Sequence, residues 1–274
     1  EDQTFKVVMG QLRPDQDKTW SQTLSADGAL AIRVGYKDVT HLAALDPGMA
    51  LAAVLNELPA VLTYAHDGVG RLTSATISVA ATASRDWAGF SITRGREEQT
   101  FKVVMGQLRP DADKSWSKTS SADGSVALRV GFVDAVHLAG LSPDLSLADI
   151  LNELPVVMTY GHDGVGRLTG ALSSVAATAS RDWAGFSTTR GKEDQTFKVV
   201  MGQIRPNVDR SWSHTTSADG SVAVRVGFVS VAHLAALDPA MALADVLNEL
   251  PSVLTYGHDG VGRLTSATNS VAAT

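Results

Sequence analysis

The chain predicts an α+β, mainly β fold made of three tandem units of about 96 residues, and three observations carry that prediction. Trp20, Trp116 and Trp212 recur 96 residues apart, as do Pro59, Pro155 and Pro251. Self-similarity at a fixed period is the signature of an array of one structural unit. Most of each copy alternates apolar and polar residues with period two, the pattern of half-buried strands. The middle of each copy changes to helical spacing between two prolines, which marks a short helical insert.

Within the first copy, Thr4–Leu12 is rich in β-formers and reads as a strand, followed by a polar, proline-containing turn over Arg13–Lys18. Thr19–Leu24 and Ala29–Tyr36 flank Ser25-Ala26-Asp27-Gly28, and an Asp-Gly between two strand-like runs is a hairpin signal. Val39, Leu42 and Leu45 predict a helical turn over 39–45. Met49, Leu51, Val54, Leu55 and Leu58 predict a helix of about 48–58 that stops before Pro59. In the second copy Ser142, Pro143 and Asp144 fit an N-cap, a first-turn proline and an acidic residue at the positive helix end. Period two then returns in Ala60–Tyr64 and Arg71–Thr82, around the glycine-rich turn His66-Asp67-Gly68-Val69-Gly70. Asp86–Arg94 closes the copy as a further strand. Each copy thus holds about six strands and one or two short helices.

Counting from Ala83 divides the chain into 1–82, 83–178 and 179–274, the first copy lacking one strand segment. Three full periods would need 14 residues more than the 274 present. The missing stretch corresponds to the segments that hold Trp87 and Trp183. One β-segment is therefore expected without its mate, and a bare strand edge is a template for another chain. No Pro/Gly/Ser-rich linker separates the copies, so close packing between neighbours is expected.

Composition narrows the function. An apolar fraction of 44% with 19% charged residues belongs to a globular protein. The net charge of −6 with scattered Lys and Arg argues against nucleic-acid binding, which needs a concentrated basic patch. The absence of cysteine excludes disulfides and thiolate zinc sites. No apolar run approaches the roughly 18 residues that insertion into a membrane needs. The opening Glu1-Asp2-Gln3-Thr4-Phe5-Lys6 lacks the features of a signal peptide, which leaves secretion open.

Few residues point to chemistry. Tyr64, His66 and Asp67 recur as Tyr160, His162, Asp163 and as Tyr256, His258, Asp259, a polar cluster at a turn able to hold a sugar hydroxyl or help ligate a metal. The competing reading is an Asp-Gly turn capped by histidine. Adjacent His and Asp on a strand point to opposite faces, which argues against a catalytic dyad. The stretch Tyr64-Ala65-His66-Asp67-Gly68-Val69-Gly70-Arg71-Leu72 resembles the tyrosine–aspartate repeat of Rhs-type bacterial shell proteins, with His66 where tyrosine is usual. That resemblance implies a strand–turn–strand at this place. Asp15 with Asp17, Asp111 with Asp113, and Asn207 with Asp209 are candidate calcium ligands, but Lys18, Lys114 and Arg210 stand ready to neutralise them in a solvated turn. His41, His137 and His233 lie among Leu and Ala, where a partly buried histidine bonded to the backbone is expected. In a closed ring they would instead face a common axis and a metal.

Trp20, Trp116 and Trp212 sit beside Ser and Thr, and Trp87 precedes Ala88-Gly89. Aromatic faces in such settings suit sugar stacking or a partner's anchor, and core packing explains them equally. The serines lie in no nucleophile elbow, and no phosphate-cradling or dinucleotide-binding glycine loop occurs. The expectation is therefore a protein that is not an enzyme, with no catalytic residue, cofactor or bound metal. It is expected to be a structural or adhesive tandem-repeat protein, extracellular or at the cell surface, self-associating into filaments by strand addition. Two alternatives stand beside it. One is a lectin-like multivalent protein binding glycans through Trp20, Tyr64, His66, Asp67, Trp116, Tyr160, His162, Asp163, Trp212, Tyr256, His258 and Asp259. The other is a closed threefold scaffold.

Overall fold

A computed structural model describes Glu1–Thr274 as nineteen strands and six short helices, the α+β, mainly β class expected from the sequence. The chain falls into two compact units, Glu1–Ala122 with Thr159–Arg167, and Asp123–Met158 with Leu168–Thr274.

The first unit begins with β1 (Asp2–Val8) and β2 (Gln11–Thr19), an antiparallel hairpin. Its turn is Met9-Gly10, both at positive φ (51° and 76°), the backbone of a primed two-residue hairpin turn. This corrects two expectations at once. Thr4–Leu12 is not one strand, and Arg13–Lys18 is not a turn but the body of β2. Pro14 lies opposite Phe5, where the register shifts between Thr4 and Phe5. The residue the ladder skips is Asp15, so Pro14 stands directly beside the bulge, where a strand tolerates proline.

After β2 come β3 (Ser21–Leu24) and β4 (Leu30–Gly35), the hairpin expected around Asp27-Gly28. Then follow α1 (Val39–Ala44) and α2 (Leu51–Val54). The first helix matches expectation, capped by the Asp38 carboxylate on the His41 N–H at 2.8 Å. The second is far shorter than 48–58. Asp46 ties Gly48 and Met49 into a turn before it, and after it Asn56 and Glu57 donate to carbonyls three residues back. Such i→i+3 bonds tighten a helix end instead of extending it.

The unit continues with β5 (Ala60–His66), β6 (Leu72–Ile77) and β7 (Ala80–Arg85), then the long pair β8 (Ser91–Val104) and β9 (Gln107–Ser121). The run expected as one strand over Arg71–Thr82 is broken at Ser78, which bonds Val61 through both its N–H and its hydroxyl. Residues 86–90, expected to be strand, form a turn instead. Its Asp86 carboxylate accepts from the N–H groups of Phe90 and Ser91. β8 does two jobs: its first half pairs with β7, while Thr100 further along reaches Thr76 on β6. The core lies where Leu42, Leu45 and Val54 from the helical insert settle with Ile32 and Val34 of β4 and Ala80, Ala81 and Ala83 of β7. Small residues on β7 leave room for the insert.

The second unit repeats these parts: β10 (Val126–Gly131), α3 (Ala135–Gly140), α4 (Leu147–Ile150), β11 (Val156–His162, whose end belongs to the first unit), β12 (Leu168–Ser173), β13 (Ala176–Arg181), β14 (Ser187–Val200), β15 (Gln203–Ser217), β16 (Val222–Gly227), α5 (Val231–Ala236), α6 (Leu243–Val246), β17 (Ser252–His258), β18 (Leu264–Asn269) and β19 (Ala272–Ala273). The cap expected at Ser142 sits at Ser146 instead, as a full capping box with Asp149 at the start of α4. Pro143 and Asp144 remain in the preceding turn.

Residues 83 and 179, taken from the sequence as copy boundaries, fall inside β7 and β13. In the second unit β13 pairs with β14 and β14 with β15 along its whole length. β15 in turn pairs with β16 near its end and with β17 near its middle. Consecutive copies thus run into one another through shared hairpins. One glycine per copy enforces a close approach. The Gly227 N–H donates to the Leu250 carbonyl at 2.6 Å, and a Cβ there would meet the Pro251 carbonyl oxygen at 2.4 Å. Gly35 and Gly131 stand in the same relation to Pro59 and Pro155.

Candidate functional site

The repeated turn is built from its own aspartate. In the first copy the Asp67 carboxylate accepts from the Val69 N–H at 3.0 Å, the Arg71 N–H at 2.8 Å and the Arg71 side chain at 2.7 Å. These bonds, the Arg71 N–H foremost, hold its pKa below the usual carboxylate range. Asp163 and Asp259 are engaged identically and shifted the same way. The strand–turn–strand implied by the tyrosine–aspartate motif is present, β5 and β6 pairing across it.

Tyr64 does not join Asp67. Its hydroxyl donates to Asp17 on β2 at 2.5 Å, and burial together with that bond pushes the phenol up to about 12. Tyr160 with Asp113 and Tyr256 with Asp209 repeat the pair, and both phenols are raised. The two aspartates that could have shared a calcium ion are used separately: Asp17 takes the tyrosine, while Asp15 pairs with Lys6 at 2.9 Å. Lys6, not Lys18, is the neutralising cation, and it also donates to the Tyr64 carbonyl at 3.1 Å. No group of three or more His, Cys, Asp or Glu is placed to hold a metal ion.

His66, His162 and His258 each keep a buried Nδ1 without a hydrogen-bond partner. At His162, burial first and then Lys102 and Arg109 lower the imidazole pKa. His41 departs from the expected backbone bond. Its Nε2 meets the Glu57 carboxylate at 2.8 Å, and His137–Glu153 and His233–Glu249 repeat the contact at 2.8 and 2.9 Å. With Nε2 engaged and Nδ1 buried, neither ring nitrogen is open to a substrate. The glutamates were missed from sequence because only the fold brings them to histidines 16 residues earlier.

The tryptophans divide into two classes. Trp20 and Trp212 donate through the indole to the carbonyls of Glu57 and Glu249 at 2.8 and 2.7 Å. Trp116 and Trp212 are buried, each under a cation: Arg96 over Trp116 at 4.9 Å, Lys192 over Trp212 at 4.6 Å. Trp87 and Trp183 are 72% and 70% exposed. Of the residues grouped as a candidate ligand site, the fold thus brings Tyr64, His66 and Asp67 to one strand end and its turn. Trp20 is tied instead to the chain after α2, beside the opposite end of β5, where Thr19 pairs with Ala60.

The second unit also contains a polar cavity of about 310 Å³. Arg129 pairs there with Glu193 at 3.2 Å, and Arg210 with Asp194 at 3.3 Å. Asp209 takes the Tyr256 hydroxyl on one oxygen and keeps the other buried and unpartnered. Arg225 and Leu254 complete the wall beside these two ion pairs. No protein-family model matches the chain, and no curated protein matches it either.

Proposed function

We propose that this is a non-enzymatic structural and adhesive tandem-repeat protein, working outside the cell and joining chains by strand addition. The observation that carries this reading is that copies are continuous through strands. Thr76 of β6 pairs with Thr100 of β8, and Leu172 of β12 pairs with Thr196 of β14, the same register one period on. β18 is the third member of that strand family, and all six of its residues are exposed. β1 is the counterpart of the strand it would receive, with Val7 70% exposed. By the inner register, Thr268 of one copy would lie opposite Thr4 of the next. An edge with a preset partner favours addition of a following copy, and unpaired strand edges are the usual template for association. The cysteine-free surface suits an oxidising setting, where an exposed thiol would react. His41, Tyr64 and Asp67 and their counterparts in the other copies are engaged in internal bonds, as structural modules require.

Sedimentation velocity over a wide concentration range tests this. Mass that rises with concentration, and falls back in a variant carrying Thr4→Lys and Thr268→Lys, is the expected result. A strictly monomeric wild-type chain would sink the assembly reading.

A further inference from the structure

Trp183 is held away from the protein by a turn that is itself tightly made. The Asp182 carboxylate accepts from the Phe186 N–H at 2.7 Å, the Ser187 N–H at 3.1 Å and the Ser187 hydroxyl at 2.9 Å. Gly185, at φ +66°, closes the turn with its N–H on the Asp182 carbonyl. Phe186 beside it is 47% exposed. Leaving a large apolar side chain in water forgoes roughly 1.5–3 kcal/mol of burial, so a rigid turn that displays two aromatics asks for a ligand.

The surroundings select the ligand's chemistry. The Ala218 N–H donates to the Phe186 carbonyl at 2.7 Å, which sets the Asp219-Gly220 turn alongside. On the other flank, a Cβ at Gly124 would stand 3.7 Å from the Trp183 carbonyl oxygen, so the Asp123-Gly124 turn abuts as well. Asp123 and Asp219 each spend one oxygen on their own turn, on the N–H groups of Ser125 and Ser221, both at 2.9 Å. Asp219 also takes the Ser221 hydroxyl, and both turn aspartates are exposed, so each flanking turn presents a negative charge. An exposed indole with two acidic turns alongside complements a neutral sugar, which has an apolar face and hydroxyl donors at its edge. The acidic turns repel phosphate and uronate. In the first unit the Trp87–Phe90 turn is closed by the same Asp86 bonds, with the Ala122 N–H on the Phe90 carbonyl at 2.7 Å, while the Asp27-Gly28 turn leaves its flank open.

We propose that the Trp87 and Trp183 turns are stacking platforms for neutral carbohydrate. This goes beyond the assembly reading and moves glycan contact away from Trp20, Trp116 and Trp212. Native gels cast with hydroxyethyl cellulose, glucomannan or alginate test it, using the full chain. Retardation in a neutral gel but not in alginate is expected, with apparent affinity falling about tenfold or more in a Trp87→Ala/Trp183→Ala variant, the loss of an aromatic stacking contact. Trp87→Phe/Trp183→Phe should keep part of the binding. Both variants should melt and sediment like wild type, which separates this proposal from chain assembly. No retardation in either neutral gel, retardation only in alginate, or retardation that survives the double alanine variant overturns it.

Discussion

Trp212 and Trp183 lie in the same unit, fewer than thirty residues apart, and their fates are opposite. Trp212 stands in β15 across from Lys192, buried against Val224, Val226, Val246 and Ala273. Trp183 sits at the tip of the turn between β13 and β14, with most of its surface exposed. A ladder position has a face turned inward, and a side chain there is committed to the core. A turn tip has no such face, so whatever it carries is displayed. Burial of these two indoles follows from that difference in position.

Substitution should expose the contrast directly. Trp212→Ala removes a ring, a hydrogen bond to Glu249 and a cation–π contact, so a loss of about 3–5 kcal/mol is expected in denaturant unfolding. Trp183→Ala should stay within about 0.5 kcal/mol of wild type in the same experiment. Equal losses would mean that the turn tip is packed after all. A smaller but sizeable effect is expected where the backbone supports the Trp212 side. Gly227→Ala drives a methyl into the Pro251 carbonyl oxygen, and about 1–3 kcal/mol should be lost as the two segments part. Alanine at Gly124, whose φ is +88° at an exposed turn, should cost about 1 kcal/mol through backbone strain alone.

The same distinction explains what could be read from sequence. Asp27-Gly28 and the His66–Gly70 turn are local signals, set by residues adjacent in the chain, and both were legible. The Met9-Gly10 turn was not, because methionine is not a turn former. Its φ of 51° is imposed by pairing that continues from Val8–Gln11 back to Asp2–Lys18. Pro14 misled for the same reason, a strong local cue outweighed by a long ladder with one bulge. The helical insert was legible in existence but not in length, since its leucines also serve the turns around it. The Ser and Thr neighbours that make Trp20, Trp116 and Trp212 candidate ligand contacts are a poor guide. On a strand those neighbours lie on the opposite face and say nothing about the indole. The Tyr64–Asp17 and His41–Glu57 pairs needed the strand register and the path of the insert, which no spacing reveals.

Acid should separate the two tryptophan environments most finely. At Asp182 burial pushes the carboxyl upward, but the hydrogen bonds from Ser187, Phe186 and Gly185 outweigh it, and the pKa lies below the usual value. A carboxylate depressed in the folded state stabilises it above the unfolded-state pKa, near 4, and that contribution is lost as pH falls through the folded pKa. The window therefore lies below about pH 4. Across it, the Phe186 and Ser187 amide protons should titrate with a midpoint lower than that of a free aspartate, and the Trp183 indole signal should move with them. The Trp212 indole, bonded to a backbone carbonyl that does not titrate, should hold its shift until the unit unfolds. Asp182→Asn should abolish the low-pH transition at Phe186 while leaving the Trp212 signal in place. If both indoles instead shift together in the wild-type chain, the Trp183 turn is not held by its carboxylate, and the local account of its rigidity fails.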